Sequence, residues 1–208
     1  MTEAGFQASL LDLAEEPEVG RLRPSRTTLS RGAWVDTCPG WLRGADALYE
    51  RLRTVVPWRA ERRQMYERVV DVPRLLAFYD VGVALPDPAL DAAKAALDAH
   101  YLAELGEPFA TAGLCLYRDG RDSVAWHGDR IGRSNTEDTM VAIVSVGAPR
   151  ALMLRPTGGG PALRFEVGHG DLLVMGGSAQ RTWEHCVPKT SRPAGPRISI
   201  QFRPIDVR

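Results

Sequence analysis

The sequence predicts an α+β chain with a mainly β core and its helices placed first. Three observations carry that expectation. After Phe109, eight short β-rich runs follow one another at near-regular spacing with turn residues between them. Before Phe109, two stretches repeat apolar residues at helical spacing. The 208 residues, 44% of them hydrophobic, make one domain's length with ample material for a core.

Taken in order, residues 1–45 mix polar and apolar types with Gly and Pro punctuation, as in Cys38-Pro39-Gly40-Trp41, and are expected to wrap the outside of the domain. Residues 45–53 place Leu48 and Leu52 four apart, a short helix ended by Pro57. A longer helix is expected over 88–105. Asp87 suits its N-cap, Pro88 its first position and Gly106 its stop, and Leu90, Ala93, Leu97 and Tyr101 form the apolar stripe. The β runs are TAGLCLY, DSVAWH, MVAIVSV, RALMLR, LRFEV, DLLVM, RTWEH and RISIQF. Such a series fits a sandwich, a barrel or a jelly roll.

Charge sums to zero, 26 basic against 26 acidic, which argues against a protein that coats nucleic acid or membrane by bulk charge. The total hides a patchwork. Residues 51–74 hold seven Arg against Glu61, Glu67 and Asp71, and the acidic stretch 76–115 cancels them. A local phosphate-binding face therefore stays open, beside the bland reading of solvated arginines. No apolar run approaches the ~20 residues of a membrane helix. The acidic N-terminus is unlike a signal peptide. Cys38, Cys115 and Cys186 are odd in number and lack CxxC spacing, which suits a reduced, cytoplasmic chain.

His-x-Asp on a strand aims an imidazole and a carboxylate at one point, two corners of the two-His-one-carboxylate triad that holds non-haem Fe(II). The chain has two, His127-Gly128-Asp129 and His169-Gly170-Asp171. The second sits in a Gly-flanked turn, where an Asp caps its own backbone and is structural. The first ends a strand. His185 lies 58 residues beyond His127, far enough to cross the core and return, and completes the triad His127, Asp129, His185. The last run alternates strictly, with Arg197, Ser199, Gln201 and Arg203 on one face and Ile198, Ile200 and Phe202 on the other. On pattern alone this is an edge strand with its polar face in water. Placed beside a metal, its guanidinium suits capture of a small dicarboxylate.

Together these residues resemble the AlkB family of Fe(II)- and 2-oxoglutarate-dependent dioxygenases. LCLYRDGRDSVAWHGD is similar to the family's strand into HxD, GHGDLLVMGGSAQRTWEHCVPK to the stretch ending in the distal His, and RISIQFR to its closing R-x-N-x-T-x-R strand. VPRLLAFYD at 72–80 is similar to the family's PR-containing segment. The resemblance implies a double-stranded β-helix in a single domain spanning 1–208. Residues 1–108 are then a helical and substrate-lid region, and 109–208 the jelly-roll catalytic core. By position, His127, Asp129 and His185 bind iron, while Tyr117, Arg197, Ser199 and Arg203 hold 2-oxoglutarate. Implied as substrate contacts are Arg74, Phe78, Arg118, Arg121 and Trp126, and a flipped base stacks on His127. Ser199 and Gln201 stand where the motif has Asn and Thr, and Arg130-Ile131 where DNA-repairing relatives carry acids. The implied activity uses Fe(II), 2-oxoglutarate and O2 to demethylate N-alkylated bases in DNA, as a monomer away from membranes. The rivals are the same chemistry on RNA, protein or a small molecule, and a non-catalytic jelly-roll binding module.

Overall fold

The computed structural model describes residues 15–65 and 68–207, and the side chains among them outside 62–71. The first half contains β1 (Glu18–Val19), β2 (Ser25–Thr28), β3 (Ala33–Cys38), β4 (Leu42–Arg43), α1 (Ala45–Val55), β5 (Arg59–Met65), β6 (Arg68–Tyr79) and α2 (Pro88–Leu105). The second contains β7 (Thr111–Tyr117), β8 (Val124–His127), β9 (Val141–Gly147), β10 (Arg150–Pro156), β11 (Leu163–Val167), β12 (Leu172–Gly177), α3 (Ala179–Thr182), β13 (Trp183–Val187) and β14 (Arg197–Arg203). Eight strands form one sheet in the order β2-β3-β12-β9-β14-β7-β6-β5, and four form a second in the order β11-β10-β13-β8. Every pairing among them is antiparallel. Facing sheets of this kind make a double-stranded β-helix, the jelly roll.

The core has two layers. Outside the large sheet, α1 and α2 bury Leu48, Leu52, Leu90 and Leu97 against Ile198, Ile200 and Phe202 of β14. Between the sheets, Ile143, Leu152, Leu154, Leu173 and Val187 pack together with Tyr117. Each fully buried aliphatic side chain contributes about 1.5–3 kcal/mol. The apolar face of β14 therefore meets the helices, and its polar face looks into the roll. Because β14 pairs with β7 on one side and β9 on the other, it is central in the sheet.

Helix α2 begins and ends at the expected signals. The Asp87 side chain accepts the Ala89 N–H at 2.9 Å. Gly106 adopts φ 84° and returns its N–H to the Leu102 carbonyl.

The N-terminal half departs from the expected helices-first layout, since it adds four strands to the large sheet. Strand β3 lies between β2 and β12 rather than outside the domain. Asp36 interrupts its apolar pattern, which hides it in the sequence. In the fold the buried Asp36 carboxylate accepts from Arg26 Nε and Nη2, both at 2.8 Å, and from Tyr101 Oη at 3.0 Å. The β5–β6 hairpin is Arg-rich with a register shift between Ala60 and Arg62, so no clean alternation marks it. The side chains of Arg62, Arg63 and Arg68, part of the expected basic stripe, lie outside the described residues.

Candidate metal centre

The small sheet carries both histidines. His127 of β8 pairs directly with His185 of β13, while Val124 pairs with Val187. Three steps on β8 thus face two on β13, a β-bulge at Ala125–Trp126. A bulge re-aims the residue that follows it. The His127 and His185 rings come to 4.2 Å between centroids. The His127 Nδ1 lies 2.8 Å from the Ala125 carbonyl. A carbonyl only accepts, so Nδ1 carries the proton and Nε2 keeps its lone pair for a metal.

Asp129 lies just past the end of β8, buried, with Oδ1 3.6 Å from His127 Nε2. One ligand atom from each of His127, Asp129 and His185 lies within 4.8 Å of the others. Burial opposes ionisation of Asp129, but Arg203 and then the two histidines hold its carboxyl well below the usual range. Arg203 Nε donates to Asp129 Oδ2 at 2.7 Å. Burial pushes His185 down to about 3, and the neighbouring His127 adds to the shift, so both protonation states match what metal ligation needs. Two imidazoles and one carboxylate form a donor set suited to Fe(II).

The polar face of β14, which carries Arg203, also carries the buried Arg197 and Ser199. Arg197 is 2% exposed. Its Nε donates to Ser145 Oγ at 2.8 Å, and its Nη1 is buried without a partner among the described residues. Its guanidinium sits 5.4 Å from the Tyr117 ring. Burial lowers the Arg197 pKa. The Tyr117 phenol is pushed up to about 12 by burial and then by Cys115, against the opposing charges of Arg197, Arg74 and Arg150. A buried guanidinium with its Nη1 unsatisfied costs free energy unless an acceptor joins it, so the residues fit a carboxylate ligand. Ser199 and Gln201 share this face, with Gln201 Nε2 3.3 Å from Ser199 Oγ and Gln201 Oε1 accepting from Arg203 Nη2 at 2.7 Å.

The structure treats the other expected substrate contacts unequally. Phe78 pairs with Gly113, 44% exposed, on the face that holds Arg203. Arg74 lies on that face of β6 too, since Leu76 two positions on packs into the inter-sheet core. Its Nη1 donates to the Ser123 carbonyl at 3.2 Å, and its Nε is buried and unpartnered. Arg118 and Arg121 instead pair within their own turn, with Asp122 at 2.8 Å and Asp119 at 2.6 Å. Arg51 pairs with Asp87 and Glu16, and Arg53 with Glu50. Trp126 lies under Arg155, whose guanidinium is 4.1 Å from the ring. Arg155 follows inward-facing Leu154, which places it, and Trp126 with it, on the outer face of the small sheet.

The second His-x-Asp holds the fold together. His169 Nδ1 accepts the Gly147 N–H at 2.8 Å and its Nε2 faces Asp46 at 3.2 Å. Asp171 accepts from Gly40 and Gly168 backbone N–H groups at 2.8 and 2.7 Å. Sequence reading passed over Gln180, Ser145 and Arg150, which are polar residues without motif spacing. Arg150 is buried and donates to the carbonyls of Asp119, Asp122 and Pro188.

A jelly roll with a His-Asp-His triad and a buried arginine on the same inner face suits the Fe(II)- and 2-oxoglutarate-dependent oxygenases. Residues 62–203 match the 2OG-Fe(II) oxygenase superfamily, to which the chain belongs. Within it the chain is a member of the AlkB family. It is 30% identical to the alpha-ketoglutarate-dependent dioxygenase alkB homolog 3 of Bos taurus, over 92% of this chain and 72% of the bovine one. Against the human homolog 3 the identity is 29%, over 80% of this chain and 64% of the relative. The DNA oxidative demethylase ALKBH2 of Arabidopsis thaliana is 35% identical over 53% of this chain and 42% of its own. Among solved structures, OsALKBH1 superposes with TM-score 0.58 at 14% identity, covering 86% of this chain and all of that one, a likeness of fold. The protein is thus a dioxygenase that uses Fe(II), 2-oxoglutarate and O2. No helix among the described residues is long and apolar enough to cross a membrane.

Proposed function

We propose that this dioxygenase removes N-linked alkyl groups from nucleic-acid bases, with DNA as the first substrate, acting as a monomer in the cytoplasm. The observation that carries the reading is the identity with alkB homolog 3 along nearly the whole chain, joined by a relative named as a DNA oxidative demethylase. His127, Asp129 and His185 would hold Fe(II), while Arg197 and Tyr117 would take the far carboxylate of 2-oxoglutarate. With iron and cosubstrate in place, the centre supplies an oxidation that hydroxylates a C–H bond and releases succinate and CO2. An N-hydroxymethyl base then loses formaldehyde and is restored.

The chain's own residues set the geometry for that outcome. Arg203 occupies Oδ2 of Asp129 and leaves Oδ1, which would hold the metal together with the two imidazoles. Phe78 offers an exposed ring near Arg203 on which an extruded base can stack. Extrusion costs a few kcal/mol, less where the lesion has already weakened pairing. The three buried, unpaired cysteines suit a reducing compartment.

One observation favours a second reading, the same chemistry on RNA or a non-nucleic substrate. Arg130 after His-Gly-Asp is bound to Thr157 and Glu184, and Ile131 is 69% exposed, so neither supplies an acid to read a base. Mass spectrometry of methylated DNA and RNA oligonucleotides, incubated with Fe(II), 2-oxoglutarate and ascorbate, separates the readings. Loss of a methylene's mass from DNA is the expected result. Loss from RNA alone moves the assignment to RNA, and loss from neither moves it off nucleic acid.

A further inference from the structure

Asp129 stands beyond the last ladder bond of β8, so its backbone N–H has no strand partner. Gln180 supplies one: its Oε1 accepts the Asp129 N–H at 3.0 Å. The residue sits on α3, is 1% exposed, and lies five positions before His185. Its backbone carbonyl also packs on the same loop, 2.5 Å from where a Cβ on Gly128 would stand. Only glycine at that position lets the two segments meet. One short helix therefore touches the Gly128–Asp129 segment that follows His127 and leads straight into the strand bearing His185.

The amide orientation is forced. Its Nε2 is buried without a partner, at a cost of about 1–3 kcal/mol for a lone donor. Turning the amide over would set Nε2 against the Asp129 N–H, donor against donor, so the carbonyl end stays on Asp129. Asp129 is then held at two points, its main chain by Gln180 and its Oδ2 by Arg203. We propose that Gln180 is a positioning residue for the metal centre, fixing the Asp129 main chain so that Oδ1 meets the two imidazoles.

This inference rests on Asp129 being a ligand, and the test keeps the two apart. Mn(II) alone is titrated by electron paramagnetic resonance into the parent, Gln180→Met, Gln180→Glu and Asp129→Ala, with Tm recorded for each metal-free protein. Met keeps the volume and loses the acceptor, whereas Glu keeps the acceptor. Gln180→Met should weaken Mn(II) binding about tenfold, the lower end of what lost outer partners cost. Gln180→Glu should stay within about threefold of the parent, as rescue by a retained acceptor requires. Equal Mn(II) affinity in the parent and Gln180→Met overturns the proposal, as does equal loss in the Met and Glu variants. If Gln180→Met does not fold, Gln180→Asn, one methylene too short to reach, is read by the same criteria. Asp129→Ala should abolish binding. Retention there refutes the ligand assignment itself, independently of Gln180.

Discussion

Arg203 donates its Nε hydrogen to Asp129 Oδ2 at 2.7 Å across 74 residues of sequence. The pair joins the centre of the large sheet to the segment that follows β8 of the small one. Both side chains are nearly buried, at 11% and 5% exposure, so breaking the pair strands a charge out of water. Arg203→Leu should therefore lose both metal affinity and stability, by about 3–5 kcal/mol for the unpaired carboxylate. Thermal denaturation of the metal-free protein checks the stability term, and an unchanged Tm would contradict it.

The choice between the two His-x-Asp motifs is open to direct test. His127→Ala or Asp129→Ala should abolish succinate release and metal binding, and Asp129→Ala should also lower stability because it strands the nearly buried Arg203 guanidinium. His169→Ala should keep the metal but lower stability by about 1–3 kcal/mol, because the Gly147 N–H is left without its acceptor. Metal analysis beside a melting curve distinguishes the two outcomes, and loss of iron only in the His169 variant would exchange the assignments.

The arginines around Tyr117 can be probed by trimming the ligand. Arg197→Met should weaken 2-oxoglutarate binding about a hundredfold, a loss of roughly 2–3 kcal/mol for a charge-assisted bond. Binding of a 2-oxo acid that lacks the far carboxylate should change little. Arg74→Gln is expected to follow the same pattern at about tenfold. A raised KM for the oligonucleotide with unaltered 2-oxoglutarate binding would return Arg74 to the substrate side.

Phe78→Ala should raise the KM for a methylated oligonucleotide about tenfold, within the ~1–3 kcal/mol of a base–aromatic stack. Succinate released without nucleic acid should stay at the parent level. Equal KM values for the variant and the parent would remove Phe78 from base recognition.

Arg118→Ala and Arg121→Ala, alone or together, should leave the salt dependence of oligonucleotide binding unchanged. Their charges are met by Asp122 and Asp119 within the same turn. A slope reduced by about one per residue would show that the pairs open to grip phosphates.

Local chemistry made much of the fold legible. Helix α2 was readable because Asp87, Pro88 and Gly106 act within one turn of their own backbone, and tertiary packing was not needed to interpret them. The eight C-terminal strands were readable because each short apolar run is bounded by turn residues. Strand β3 and the β5–β6 hairpin were not, since Asp36 and the Arg-rich run break periodicity and are compensated only by distant partners such as Arg26 and Tyr101.

The candidate site divides the same way. The Gly-flanked turn around His169 and Asp171, together with the 58-residue spacing from His127 to His185, set the two His-x-Asp motifs apart, and strict alternation put Arg197, Ser199, Gln201 and Arg203 on one face. Residue types, their faces and the order of most elements could be read along the chain, because periodicity and capping are local properties. Only tertiary structure decided that β14 is central, so that its polar face looks into the roll instead of water. It also decided that a bulge turns His127 onto His185, that Gln180 reaches the Asp129 main chain, and that Arg118 and Arg121 are already paired. Those outcomes depend on which strands become neighbours, and that is set by burial of the whole core, which no short stretch of the chain encodes.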